Sequence, residues 1–172
     1  MKFVRALPLA VAAVALASGV GLALPMLAGC SRAEQAPAVS YTLLDGRKGE
    51  LSALRGHVVL VNFWATDCAP CVEEMPAMAA NWRRFSPQGF ETLAVSMSYD
   101  PPALVSNFAQ ARALPFGVAI DNTGEIARRF GDVAFTPTSV LIDKQGRIVK
   151  RWVGKTDFAA VAPLIAELVA AS

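Results

Sequence analysis

From His57 to Trp64 the chain reads His-Val-Val-Leu-Val-Asn-Phe-Trp. The run is β-branched and almost continuously apolar, the pattern of a strand buried on both faces. Such strands sit inside parallel sheets, whose crossovers are usually helices, so this one segment demands helical neighbours on both sides. The flanking sequence supplies them. Met75, Met78 and Trp82 recur at spacings of 3 and 4 and predict an amphipathic helix running to about Phe85, kinked at Pro76. Ser86-Pro87-Gln88-Gly89 ends it, and Phe90–Ser96 is the next strand. Asp100-Pro101-Pro102 opens a second helix to about Arg112, Phe116–Ile120 is a short strand, and Thr123–Phe130 is a short helix stopped by Gly131. Thr138–Ile142 and Arg147–Val153 read as strands joined by the turn Asp143-Lys144-Gln145-Gly146, and Asp157–Ala170 reads as a closing amphipathic helix. Upstream, Tyr41–Leu44 before Asp45-Gly46 predicts a strand and turn, with a weaker return strand over Lys48–Leu51. The alternation predicts an α/β fold: a largely parallel sheet with helices on both faces and an antiparallel edge from the late hairpin. No internal repeat and no second domain are evident.

Composition matters chiefly at the N-terminus. The chain has 172 residues, 54% hydrophobic and only 17% charged, which excludes global disorder. Lys2 and Arg5 are the only charges before Arg32, and an uncharged apolar run extends from Ala6 to Gly29. Two basic residues, an apolar run and then small residues form a secretory signal layout. Pro8, Gly19, Gly21 and Pro25 make the run a poor permanent anchor. Leu27-Ala28-Gly29-Cys30 resembles the bacterial lipobox, which implies cleavage before Cys30 and lipid on the new N-terminal cysteine. In the usual sorting pattern Ser31, in place of Asp, leans toward the outer membrane. The expected division is a signal peptide over 1–29, a polar Ala/Pro-containing tether over 30–39 and one domain over 40–172. Lys2 and Arg5 account for the excess of 16 basic over 14 acidic residues, so the domain itself is formally neutral. Nothing in it suggests a nucleic-acid partner.

With Cys30 assigned to the anchor, Cys68 and Cys71 remain as a single C-x-x-C in an exported chain. The loop they close is too small to brace a fold, since the entropic benefit of a disulfide grows with loop length. A structural zinc site wants four ligands, and His57 is the only histidine. A redox-active dithiol is the reading favoured. It needs no metal and no cofactor beyond the Cys68–Cys71 disulfide. The pair lies between a buried strand and a helix, so Cys68 falls at the helix N-terminus, where free N–H groups and the macrodipole stabilise a thiolate. Cys68 is the expected nucleophile. Cys71, within the first turn, is the expected resolving thiol. Pro70 suits a first helical turn.

The strand end Asn62-Phe63-Trp64-Ala65, the motif Cys68-Ala69-Pro70-Cys71, and Glu74 and Pro76 together resemble the thioredoxin superfamily. Phe135-Thr136-Pro137-Thr138, Leu141-Ile142-Asp143, Gly146 and Gly154 extend the resemblance. More narrowly the chain resembles the TlpA/ResA-like membrane-anchored thiol–disulfide oxidoreductases, over about residues 40 to 170. The resemblance implies a thioredoxin-like α/β fold: a central mixed sheet flanked by helices, with an N-terminal β-hairpin extension and a subfamily insertion between Ser96 and Phe116. It implies a cis Thr136–Pro137 peptide facing the dithiol, and a substrate-binding surface drawn from Trp64, Asp67, Pro70, Thr136 and Pro137. It implies reduction of disulfides in exported proteins such as apocytochromes, with electrons from a membrane donor of the DsbD/CcdA type.

Two departures from the pattern carry chemistry. Asp67 stands where the family usually has Trp before the first cysteine, and a carboxylate there opposes thiolate formation on Cys68. Asn62 stands at the position of the buried Asp of thioredoxin and cannot take a proton, whereas Glu74, one turn past Cys71, matches the TlpA/ResA-like pattern and is the candidate proton acceptor. Glu73 lies about 100° around the helix and is expected in solvent. His57, Arg83-Arg84 and Arg128-Arg129 are expected at the surface. Two other functions fit these residues less well. A peroxiredoxin-like peroxidase calls for P-x-x-x-T-x-x-C, but Val61 and Ala65 occupy the Pro and Thr positions before Cys68. Metal-handling relatives carry C-x-x-x-C and a distal histidine, and no histidine follows Cys71 here.

Overall fold

A computed structural model describes residues 33–171. The expected signal peptide over 1–29, the lipidation candidate Cys30 and Ser31 lie outside the described residues. The elements in chain order are β1 (Ser40–Thr42), β2 (Lys48–Glu50), β3 (Val58–Trp64), α1 (Ala69–Phe85), β4 (Phe90–Ser96), α2 (Pro102–Ala111), β5 (Gly117–Ile120), α3 (Glu125–Arg129), β6 (Thr138–Ile142), β7 (Ile148–Val153) and α4 (Phe158–Ala170). Every residue of β3 is buried, as its unbroken apolar run requires. It is the central strand of a five-stranded sheet ordered β5-β4-β3-β6-β7. β4 runs parallel to β3 and β5 parallel to β4, while β6 pairs antiparallel with β3 and β7 antiparallel with β6. The sheet is therefore mixed, with the late hairpin supplying its antiparallel half.

Strand alternation divides the core in two. Val58, Leu60 and Trp64 pack with Cys71, Met75 and Met78 of α1, Val105 of α2, and Phe158, Val161 and Ile165 of α4. Val59, Val61 and Phe63 face the other way, against Ile126, Ala127 and Phe130 of α3 and against Val39 and Leu51. Phe63 meets the Phe130 ring edge-on, with centroids 5.4 Å apart. α1 runs unbroken through Pro76, which sits on its exposed side. Among the described residues no helix is long and apolar enough to cross a membrane.

The β1–β2 hairpin forms a separate two-stranded sheet. It joins the body where Leu43 bridges Ala119 and the Leu44 N–H donates to the Val118 carbonyl at 2.9 Å. The expected tether is corrected in its described part. The Ile148 N–H donates to the Glu34 carbonyl at 2.7 Å, the Ala36 N–H donates to the Gly146 carbonyl at 2.9 Å, and Val39 is only 3% exposed. Residues 34–39 are thus seated on the domain rather than hanging free. The cause lies mainly in the backbone: the edge strand β7 and the turn before it leave N–H and C=O groups that take up the passing chain, and the Val39 side chain adds to the core beside Val59 and Leu51.

Candidate active site

β3 delivers its C-terminal end, Trp64, to a tight turn in which the Cys68 N–H donates to the Ala65 carbonyl at 3.3 Å. Cys68 then caps α1. Its backbone is extended (φ −88°, ψ 98°) and its Sγ accepts from the Cys71 N–H at 3.3 Å. Pro70 occupies the first turn, where its missing N–H removes no helical hydrogen bond. Cys68 and Cys71 form a disulfide, with Cα atoms 5.2 Å apart. Cys68 is half-buried, whereas Cys71 is 1% exposed. The outer sulfur is thus the one a macromolecule can reach, and it is also the one at the helix N-terminus.

Glu74 follows on the buried stripe of α1 and is 3% exposed. Its Oε1 accepts from the Thr156 N–H, and its Oε2 has no protein partner. Burial pushes the carboxyl up to about 7, against the opposing pull of the Thr156 hydrogen bond and of Lys155. Glu73, one residue earlier, points outward and pairs with Lys155. Asn62 lies on the face of β3 between Leu60 and Trp64. Its Nδ2 donates to Ser139 Oγ at 2.9 Å, and its Oδ1 has no protein partner.

The other candidate residues divide by accessibility. Asp67 is exposed beside Cys68, and Pro70 and Thr136 are half-buried. The Thr136–Pro137 peptide is cis. Phe63 pairs with Thr138 across the β3–β6 ladder, so this peptide lies at the end of β3 from which the dithiol turn departs. The Pro137 carbonyl accepts from the Gly154 N–H at 2.8 Å. Trp64 is corrected. It is fully buried, and its ring packs at 5.1 Å on Phe108 of α2. Strand alternation turns it into the α1–α2 core, so its ring supports the turn from beneath and presents no surface to a substrate. The apolar surface at this end belongs instead to Phe135, 71% exposed next to Thr136, and Tyr99, 60% exposed after β4.

Asp100 is a residue of this region that sequence reasoning treated only as a helix start. It is 4% exposed. Its carboxylate accepts from the Thr66 N–H at 2.7 Å, the Thr66 hydroxyl at 2.5 Å and the Ser96 hydroxyl at 3.1 Å. The Asp-Pro-Pro triplet was its only available signal.

The comparisons agree with this geometry. The sequence profile of the AhpC/TSA family matches residues 33–151. The thiol–disulfide oxidoreductase ResA of Bacillus thuringiensis subsp. konkukian is 38% identical over 122 residues, covering 71% of this chain and 69% of that protein. A solution structure of a candidate thioredoxin from Neisseria meningitidis superposes with a TM-score of 0.74 at 35% identity, over 81% of this chain and 93% of that one. A crystal structure of a candidate thiol:disulfide interchange protein DsbE from Chlorobium tepidum gives 0.73 at 29% identity, over 80% and 96%. With a disulfide-forming C-x-x-C at the head of α1, the chain belongs to the AhpC/TSA family and, within it, to the thioredoxin-fold thiol–disulfide oxidoreductases of the ResA type.

Proposed function

We propose that this oxidoreductase acts as a reductase of disulfides in exported proteins, apocytochromes c among them, while held at a membrane surface by lipid on Cys30. The observation that carries the reading is the asymmetry of the pair: an accessible Cys68 at a helix N-terminus, and a buried Cys71 one turn before a carboxyl poised near neutrality. In the reduced enzyme the Cys68 thiolate attacks one sulfur of the substrate disulfide. That S–S bond breaks, a mixed disulfide forms on Cys68, and the departing substrate thiolate takes up a proton. Cys71 then gives its proton to Glu74 and attacks the Cys68 sulfur. The second substrate thiolate leaves, and two electrons have passed from the dithiol to the substrate. Asp67, beside Cys68, opposes thiolate formation and so favours a reducing couple. The exported compartment is oxidising. Turnover therefore calls for a dithiol donor fed across the membrane, of the DsbD/CcdA type.

The backbone around the cis Thr136–Pro137 peptide and the neighbouring Asp67 and Pro70 form the surface against which a substrate segment would lie. The test is trapping. Cys71→Ser leaves the mixed disulfide unresolved, so exported proteins should be recovered disulfide-linked to Cys68, and recovery of none overturns the proposal. Peroxide reduction has less support. Val61 is buried within β3 and Ala65 opens the turn, so neither offers the Pro or Thr of a peroxidatic site.

A further inference from the structure

Asp100 stands one residue before the N-cap of α2 and does not cap it. α2 begins at Pro102 with Pro101 as its N-cap, and no side chain satisfies its first N–H groups. Asp is among the preferred capping residues, and an uncapped start costs stability. The carboxylate is instead turned away from α2 and into the turn that carries the nucleophile. There it accepts both the backbone N–H and the hydroxyl of Thr66, two residues before Cys68. Its third partner, Ser96, closes β4. The triplet Asp100-Pro101-Pro102 makes this direction rigid. Proline holds its own φ near −65° and biases the preceding residue to extended backbone. A buried carboxylate is tolerated only when it is hydrogen-bonded, and these three donors provide that.

From this geometry we infer that Asp100 is a positioning residue for the nucleophile, holding the Ala65–Cys68 turn so that Cys68 Sγ stays seated on the helix N-terminus. Thr66 is fixed at two atoms, which sets both the position and the tilt of its peptide. Cys68 inherits that orientation through the turn closed by its own N–H on Ala65. Without Asp100 the turn would keep that 3.3 Å bond, the strand behind it and the bonds that tie Cys68 to α1, but Thr66 would lose both of its bonds to the carboxylate. The inference rests on Cys68 being the attacking sulfur, but on no particular substrate.

The experiment uses the full chain, reduced and desalted. Alkylation by iodoacetamide is resolved at Cys68 by peptide fragmentation, and reduction of the small disulfide DTNB is followed in parallel. Asp100→Ala is expected to slow both about tenfold, less than the roughly hundredfold that a 1 Å misplacement of a reacting group can cost. Asp100→Asn keeps an oxygen for the Thr66 N–H and offers an amide to its hydroxyl, so it should stay within about threefold of wild type. Thr66→Val keeps the backbone bond, loses the hydroxyl bond and is expected between the two. It also serves if Asp100→Ala fails to fold. Ser96→Ala removes the one partner outside the turn. It should lower the unfolding midpoint while leaving Cys68 alkylation unchanged, an outcome that a purely structural role for Asp100 would extend to Asp100→Ala as well. Wild-type alkylation in Asp100→Ala or in Thr66→Val overturns the inference, as does an Asn variant as slow as Ala. Neither probe needs a biological partner, so an empty trap with Cys71→Ser leaves the inference standing, and normal alkylation here leaves the trap's result unaffected.

Discussion

Replacing Glu74 by Gln isolates one buried carboxyl at nearly constant volume. The amide oxygen can still accept from the Thr156 N–H, so packing and the known hydrogen bond are retained while titration is abolished. In the folded protein burial raises the Glu74 pKa from 4.5 to about 7. Between these values the folded state holds a proton that the unfolded state has released. The stability that Glu74 contributes is therefore fully present below about 4.5, falls as pH rises through about 7 and is lost above it. At about 1.4 kcal/mol per pH unit between folded and unfolded values, that contribution amounts to about 3 kcal/mol across the window. The Gln variant should lose none of this. Urea unfolding of the oxidised forms at intervals from about pH 4 to 9 reads the difference directly, because every other titrating group is common to both proteins. Wild type minus variant should decline by about 3 kcal/mol and then level off. A difference independent of pH would refute both the perturbed carboxyl and its use as a proton acceptor. If Glu74 also receives the Cys71 proton, resolution of the mixed disulfide should lose its inflection in the neutral range and slow about a hundredfold in the variant, the low end for general-base catalysis.

Two further substitutions test the starts of α1 and α4. Asp67→Asn should lower the Cys68 pKa slightly, because the carboxylate is exposed and screened; thiolate absorbance against pH measures it, and an unchanged or higher value sinks the role given to Asp67. Asp157 caps α4 by accepting from the Ala159 and Ala160 N–H groups. Asp157→Ala should therefore cost about 1 kcal/mol in urea unfolding, with DTNB reduction unaffected.

What the sequence made legible was whatever depends on near neighbours. The His57–Trp64 run announced a central strand because burial on both faces needs apolar residues at every position. The C-x-x-C announced a helix N-terminus because Pro70 and the Met75–Met78 spacing follow it. The misreadings share the opposite cause. Residues 34–39 have the composition of a linker, and they dock through backbone groups, which side-chain pattern does not encode, and through the one buried Val39. Trp64 reads as an amphipathic aromatic beside the dithiol, but Phe108, which claims its ring, is brought there by α2. Asp100 reads as a helix start, and its true partner Thr66 lies 34 residues earlier.

Glu73 and Glu74 show how far this division reaches into the chemistry. They are the same residue type at adjacent positions, separated only by the rotation of one helical step. Across from them the loop between β7 and α4 presents Lys155 and Thr156, also adjacent. The ammonium of Lys155 meets Glu73 in solvent, where an ion pair contributes little. The N–H of Thr156 meets Glu74 in the interior, where a neutral donor compensates burial only in part, and the carboxyl stays near neutrality. An acid suited to exchanging protons with a thiol thus arises from a mismatch: the buried Glu receives the neutral partner and the exposed Glu receives the charged one. Had the register of this loop been shifted by one residue, Lys155 would oppose Glu74, and the Coulomb attraction would hold it ionised throughout the neutral range. The proton chemistry proposed for Cys71 therefore depends on a loop 82 residues away from Glu74 as much as on the motif beside it.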